Sequence, residues 1–129
     1  MYSLYFDGCS KGNPGKAGAG AVIYLDGEEM WAGIKNLGKQ TNNYAEYSGL
    51  ILGLKKAIDL GIKEIQVYGD SMLVIKQLRG EYKVNSPNIK YLYEQSKELS
   101  TQFETIAFSH VYRENNIRAD ELSNNALNI

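Results

Sequence analysis

The run Tyr2-Ser3-Leu4-Tyr5-Phe6-Asp7-Gly8, together with the segments Ala17–Leu25 and Glu28–Leu37 that follow it, decides the fold. Tyr2–Phe6 alternates and is dense in aromatic residues, which reads as a strand ending at Asp7-Gly8. Cys9–Lys16 contains Gly12, Asn13, Pro14 and Gly15, a composition that predicts a turn. Ala17–Leu25 is a second strand that begins on small residues. Asp26-Gly27 is a hairpin signal, and Glu28–Leu37 returns as a third strand bearing Trp31 and Ile34. Three strands linked by short connections make an antiparallel meander.

Thr41, Asn42 and Asn43 can each cap a helix, and Leu50, Ile51, Leu54, Ala57 and Ile58 keep helical spacing beyond them. Gly61 stands where a C-terminal glycine belongs. Glu64–Gly69 is a short strand, Ile65 and Val67 facing one way, Gln66 and Tyr68 the other. Ser71–Arg79 predicts a short helix closed by Gly80. Ser86-Pro87 starts the next helix, whose stripe is Ile89, Leu92, Tyr93, Ser96, Leu99 and Phe103. Thr105–Tyr112 is the last strand and Ile117–Leu127 the last helix. With no repeat and no linker, residues 1–129 read as one domain. Strands joined through helices run parallel. The expected architecture is α/β: a mixed five-stranded sheet, three antiparallel strands and then two parallel ones, with helices on both faces.

Of the 129 residues, 43% are hydrophobic and 22% charged, an ordinary globular balance with room for a sizeable core. The single cysteine, Cys9, excludes an internal disulfide framework and fits a reducing compartment. The chain enters a strand pattern at Tyr2 without a charged-then-apolar leader, and its longest apolar runs are too short to span a bilayer. A cytoplasmic protein without membrane contact is expected, and a monomer. The net charge of −1 is awkward for a nucleic-acid binder, since tight phosphate binders carry a basic excess. Charge alone favours a small-molecule enzyme or an interaction domain. A nucleic-acid reading must rest on local chemistry, with bound cations supplying positive charge.

Four acids supply such chemistry. Asp7 and Asp70 sit at the C-terminal ends of predicted strands, where open α/β sheets gather ligands. If the first and fourth strands are neighbours, these two lie side by side. Glu46 is expected in the first turn of the helix after the meander, and Asp120 in the first turn of the last helix. Both helix starts can point at the same rim. Four carboxylates together would repel and be partly protonated unless a cation joined them. Mg²⁺ is the hard ion that suits oxygen ligands, and two such ions can hold the attacking and leaving oxygens of a phosphoryl displacement. Taken singly, each acid has a plainer reading: Asp7 opens a turn, Glu46 and Asp120 favour a helix dipole, and Asp70-Ser71 ends a strand and caps a helix. Joint placement is what separates a site from four ordinary acids.

The stretches Tyr5-Phe6-Asp7-Gly8-Cys9-Ser10-Lys11-Gly12-Asn13-Pro14-Gly15, Thr41-Asn42-Asn43-Tyr44-Ala45-Glu46, Tyr68-Gly69-Asp70-Ser71 and Asn116-Ile117-Arg118-Ala119-Asp120-Glu121-Leu122 carry a resemblance. In this order, they make nearly the whole chain resemble the type 1 ribonuclease H family. The resemblance implies the ribonuclease H-like fold and an endonuclease that hydrolyses the RNA strand of RNA–DNA hybrids by a two-metal-ion mechanism, leaving 5′-phosphates. It implies Mg²⁺, or Mn²⁺, at Asp7, Glu46, Asp70 and Asp120. It implies substrate contact at Gly8, Cys9, Asn13, Thr41, Asn42 and Asn43, where amide side chains can read the 2′-hydroxyls that mark RNA. Helix capping by Asn42 or Asn43, and a simple turn at Asn13-Pro14-Gly15, stand beside that reading.

Two departures from the family pattern bear on substrate binding. The segment from Arg79 to Lys90 is short, with Arg79, Lys83 and Lys90 as its basic residues, which resembles the branch lacking a basic handle. Met72 stands where the family often has glutamine. His110, ten residues before Asp120, matches the spacing of a loop histidine thought to assist proton transfer in many members. Phe108–Tyr112 reads as strand, which favours a structural histidine, and Arg113 or Glu114 could fill the loop's space. Two competing readings remain: a catalytically weak or inactive binding domain of the same fold, and a metal enzyme acting on double-stranded RNA or DNA. A dinucleotide site is excluded, because Gly15, Gly18 and Gly20 precede a strand and that fingerprint must open a helix.

Overall fold

The computed structural model describes residues 1–129. Its strands are β1 (Tyr2–Ser10), β2 (Gly15–Leu25), β3 (Glu28–Gln40), β4 (Glu64–Gly69) and β5 (Thr105–His110). Its helices are α1 (Asn42–Asp59), α2 (Met72–Leu78), α3 (Pro87–Ser100) and α4 (Ile117–Asn125), with single 3₁₀ turns at Arg113–Asn115 and Ala126–Asn128. The five strands form one sheet in the order β3-β2-β1-β4-β5. β1, β2 and β3 are antiparallel neighbours, whereas β4 runs parallel to both β1 and β5. This is the mixed sheet the pattern predicts.

The meander is longer than its sequence suggests. Cys9 and Ser10 belong to β1 and pair with Gly18 and Ala17, so only the stretch from Lys11 to Pro14 is a turn. Ladder bonds to β2 outweigh the weak strand preference of small polar residues there. β3 likewise runs on to Gln40, past the expected end at Leu37. Thr41 is the cap chosen from the three candidates, its Oγ1 accepting from the Tyr44 amide at 3.2 Å. Starting there, α1 carries Glu46 as its fifth residue, one turn deeper than expected. Ser71 caps α2 by accepting from the Val74 amide. α3 stops at Ser100, and Phe103 joins its buried stripe from the loop beyond.

Leu4 and Phe6 of β1 and Val67 of β4 face α1 residues Tyr47, Leu50 and Leu54 across the main core. Within it the Tyr47 hydroxyl donates to Gln77 Oε1 at 2.7 Å, so α1 and α2 are joined by a satisfied buried polar pair. α4 lies on the opposite face: the Cys9 thiol donates to the Ser123 carbonyl, and Gly18 and Gly20 of β2 abut Ser123 and Leu122. Helices therefore cover both faces. No helix is long and apolar enough to cross a membrane.

Glycines set how closely the two helices approach. A Cβ on Gly20 would lie 2.6 Å from Leu122 Cβ and 2.7 Å from the Ser123 nitrogen, and one on Gly49 would strike the Asp7 carbonyl. Gly27, at φ 86°, has no atom within reach of a Cβ. Gly20→Ala is expected to lower unfolding stability in urea by about 1–3 kcal/mol through overpacking. Gly27→Ala is expected to cost only ~1 kcal/mol, from backbone strain alone.

Candidate metal centre

β1 and β4 pair as far as Phe6↔Gly69 and then part. The next residue on each is an acid, so Asp7, still inside β1, and Asp70, just past the end of β4, stand side by side. Glu46 reaches the same point from α1, anchored where its Oε1 accepts the Gly8 amide at 2.6 Å. Gly8 permits that approach, since any Cβ there would collide with the Ala45 backbone. Carboxylate oxygens of Asp7, Glu46 and Asp70 all lie within 4.8 Å of one another. Asp120 comes from the first turn of α4 and lines the same open cleft of about 470 Å³, outside that tight triad. Its Oδ1 accepts from Asn124 Nδ2 at 3.3 Å, and Asn124 in turn accepts from Lys11 Nζ at 3.1 Å.

Two of the triad are buried to an extent unusual for acids, Asp7 5% and Glu46 6% exposed, while Asp70 is half-buried. None of the four carboxylates is paired with a lysine or arginine. Burial, reinforced by the charge of Asp70 and partly offset by Glu46, raises the Asp7 carboxyl to about 6. Burial also raises Glu46 well above its ordinary value, with Asp7 and Asp70 adding to the effect. Glu46 Oε2 is buried without any hydrogen-bond partner. An orphaned buried carboxylate oxygen is costly. A hard divalent cation among all-oxygen donors removes both that cost and the mutual repulsion, so the residues present fit such an ion.

The other expected residues fall into two groups. Gly8, Cys9, Asn42 and Asn43 line the acid cleft, together with Ser10, Lys11 and Arg113. Asn13, Thr41, Asn42 and Asn43 line an adjoining cleft of about 400 Å³, closed on its far side by Ser86 and Ile89 of the α3 start. The amides of Asn42 and Asn43 make no hydrogen bond within the protein and do not cap α1; Asn13 Oδ1 instead accepts from the Asn42 backbone at 3.0 Å. Ser86 makes no capping bond either, so two helix N-termini and free polar side chains meet here. Sequence reasoning read Ser86 only as a helix start. It also gave no role to Asn124, nor to Asn116, whose Nδ2 donates to Asp70 Oδ2. His110 is the last residue of β5, packed edge-on against Tyr112 with ring centres 5.4 Å apart, and is not among the residues lining the acid cleft.

Residues 5–126 match a family described as reverse transcriptase-like. Ribonuclease HI of Halobacterium salinarum is 44% identical over 124 residues, covering 95% of this chain and 62% of that protein. A bifunctional protein of Mycobacterium tuberculosis is 46% identical over 123 residues, covering 94% of this chain and 34% of the relative. The chain thus spans less than two thirds of the length of these curated relatives. The solved structure of LC11-RNase H1 in complex with an RNA/DNA hybrid superposes with a TM-score of 0.94 at 36% identity, covering 99% of this chain and 97% of that one.

The raised acids make the metal-free fold sensitive to pH. A carboxyl whose pKa is higher folded than unfolded holds a proton that the unfolded chain releases, so stability falls as pH rises. For Asp7 that contribution is complete below its ordinary 3.8 and lost as pH rises through about 6. Wild-type protein in EDTA is expected to melt several degrees lower at pH 8 than at pH 5. Asp7→Asn is expected to flatten that difference and to melt higher than wild type at pH 8. Identical pH profiles of melting temperature for the two proteins would refute the effect.

Proposed function

The chain belongs to the type 1 ribonuclease H family, and on that premise we propose that it cleaves the RNA strand of RNA–DNA hybrids at the Asp7, Glu46, Asp70 and Asp120 cluster. One observation carries the reading: three carboxylates from three separate elements converge within 4.8 Å with no basic partner. Mg²⁺ or Mn²⁺, two ions with substrate present, is the cofactor that this donor set favours. When bound, the ions supply Lewis-acid stabilisation of an in-line displacement in which water attacks phosphorus and the P–O3′ bond breaks, leaving a 5′-phosphate.

The chain's own residues then have distinct tasks. The ionised forms of Asp7 and Glu46 would be favoured by bound cations, opposing the burial that raises both carboxyls. The Gly8 amide fixes the Glu46 carboxylate, and Gly8 and Cys9 line the cleft where the RNA backbone would lie. In the adjoining cleft, the α1 and α3 N-termini with Thr41, Asn43 and Ser86 suit a backbone phosphate. Asn13 and Asn42 stand at its edge, where amides can meet 2′-hydroxyls. Arg113 lines the acid cleft and His110 does not, so Arg113 is the accessory group that the geometry favours near the reacting phosphate. All four acids come from one chain, and a monomer therefore suffices. The lone free Cys9 suits a reducing compartment such as the cytoplasm.

Labelled RNA presented free, paired with RNA, or paired with DNA is expected to be cut only in the hybrid and only with Mg²⁺ or Mn²⁺. Asp70→Asn is expected to lower kcat at least ~100-fold while leaving the fold intact, the scale typical of losing a preorganised charge-stabilising group. Undiminished cleavage by Asp70→Asn would sink the mechanism, and cleavage of the RNA duplex at an equal rate would sink the substrate assignment. Asn43→Ala is expected to raise KM ~10-fold with little change in kcat, as loss of uniform binding does. A fall in kcat at constant KM would contradict its assignment to the adjoining cleft.

A further inference from the structure

The four acids come from four separate stretches of the chain, and one residue touches the frame of three of them. Asn116, 2% exposed, is the residue from which α4 starts. Its Nδ2 donates to the Phe6 carbonyl at 3.0 Å, immediately before Asp7, and to Asp70 Oδ2 at 3.0 Å. Its own carbonyl accepts the Asp120 amide at 3.1 Å. An asparagine at a helix start ordinarily turns its side chain onto the helix's free amides. This one makes no capping bond and turns to the carboxylate instead.

The chemistry of the contact fixes the residue type. A backbone carbonyl and an ionised carboxylate only accept, so the group between them must donate twice from one atom. A primary amide nitrogen does so while neutral. A hydroxyl carries one hydrogen and a carboxylate none. Reversing the amide would set Oδ1 against two acceptors, so the observed orientation is the only favourable one. It leaves Asn116 Oδ1 buried and without a partner. That cost is difficult to account for in a residue serving only to start a helix.

We infer that Asn116 is a positioning residue for the metal-binding carboxylates: its amide holds Asp70 against Asp7 and Glu46 and registers the start of α4, hence Asp120, to the end of β1. The inference rests on the metal reading given above. Removing it should loosen the cluster without touching the adjoining cleft of Asn13, Thr41, Asn43 and Ser86.

The test uses metal-free protein titrated with Mn²⁺ by calorimetry, alongside kcat and KM on a labelled hybrid and melting in EDTA. Asn116→Ala is expected to weaken Mn²⁺ binding and lower kcat by about 10–100-fold, with KM for the hybrid, measured at saturating Mn²⁺, within about twofold of wild type. Asn116→Ser, which keeps one donor, is expected to fall between alanine and wild type on both scales. Asn36→Ala serves as the stability control. Asn36 Nδ2 bonds the Ala126 and Ile129 carbonyls after α4, far in sequence from Asp70, so its loss is expected to lower the melting temperature and leave Mn²⁺ affinity unchanged. Wild-type Mn²⁺ affinity in a folded Asn116→Ala or Asn116→Ser protein would overturn the inference while leaving the metal reading standing. So would failure of Asn116→Ser to fold, which would assign the residue to the frame. Absence of Mn²⁺ binding by wild type would overturn both.

Discussion

The fork between β1 and β4 is the constraint on which the rest of the site depends. The strands pair in parallel to Phe6↔Gly69, after which β1 continues beside β2 alone. Asp7 and Asp70 are thereby held at one level, with no freedom to separate except by breaking the ladder. The fork also leaves a gap in the sheet's covering. α1 approaches from one face and α4 from the other, and Glu46 and Asp120 reach the rim from these opposite sides. Repulsion among the acids is built in by the topology. Burial removes the water that would solvate the charges, which is the main reason Asp7 is pushed up to about 6, and the charge of Asp70 adds to it.

Small residues make that convergence physically attainable. Gly8 admits the Ala45 backbone, Gly49 admits the Asp7 carbonyl, and Gly20 admits α4. Each contact is to backbone or, at Gly20, to backbone and a Cβ fixed to it, where movement is stiffer than at the end of a side chain. The acids are therefore carried by a rigid frame, while the charges they bear oppose its folding. A frame spending stability on a preorganised cluster is the expected compromise for a site that must be ready before its ligands arrive. The Gly8 amide on Glu46, the Asn116 amide on Asp70 and the Asn124 amide on Asp120 are neutral donors that partly offset it.

How much of this was legible in the sequence depended on how local each signal is. Asp70 was readable because a strand end and a helix-capping residue sit next to each other in the chain, whereas Asp7, expected at a strand end, lies inside β1 and owes its place to where β4 stops. The parallel run of helix-linked strands was readable too, whereas the adjacency of β1 and β4 stood only as a condition until the sheet order was known. Glu46 was placed one turn too early because Thr41, Asn42 and Asn43 are equally good caps on paper, and the choice among them is made by tertiary contacts such as Asn13 Oδ1 on the Asn42 amide. Cys9 and Ser10 read as turn because their pairing with Gly18 and Ala17 is invisible in their own composition. Asn116 lay in a quoted motif yet carried no signal of its role: its partner Phe6 is 110 residues away. The separation of His110 from Arg113 in their relation to the cleft likewise depends on where β5 stops. Its ladder with β4 ends at Gly69↔His110, so the partner strand decides that point and the local residues do not.

The net charge of −1 acquires a different meaning once the clefts are known. Few cations line either cleft: Lys11 and Arg113 border the acids, and the adjoining cleft has none. On the proposed reading, the phosphates of a hybrid would be met there by helix N-termini, hydroxyls and amides, which bind anions without net charge. Bound divalent ions would then be the principal positive charge facing the substrate. Catalysis and grip would rest on the same ions, so that metal occupancy governs how tightly the hybrid is held as well as how fast it is cut. The short segment between α2 and α3, where a basic handle is lacking, leaves no independent electrostatic anchor to uncouple the two. An acidic chain acting on nucleic acid is consistent on these terms, because the acids are what recruit the cations that the substrate requires.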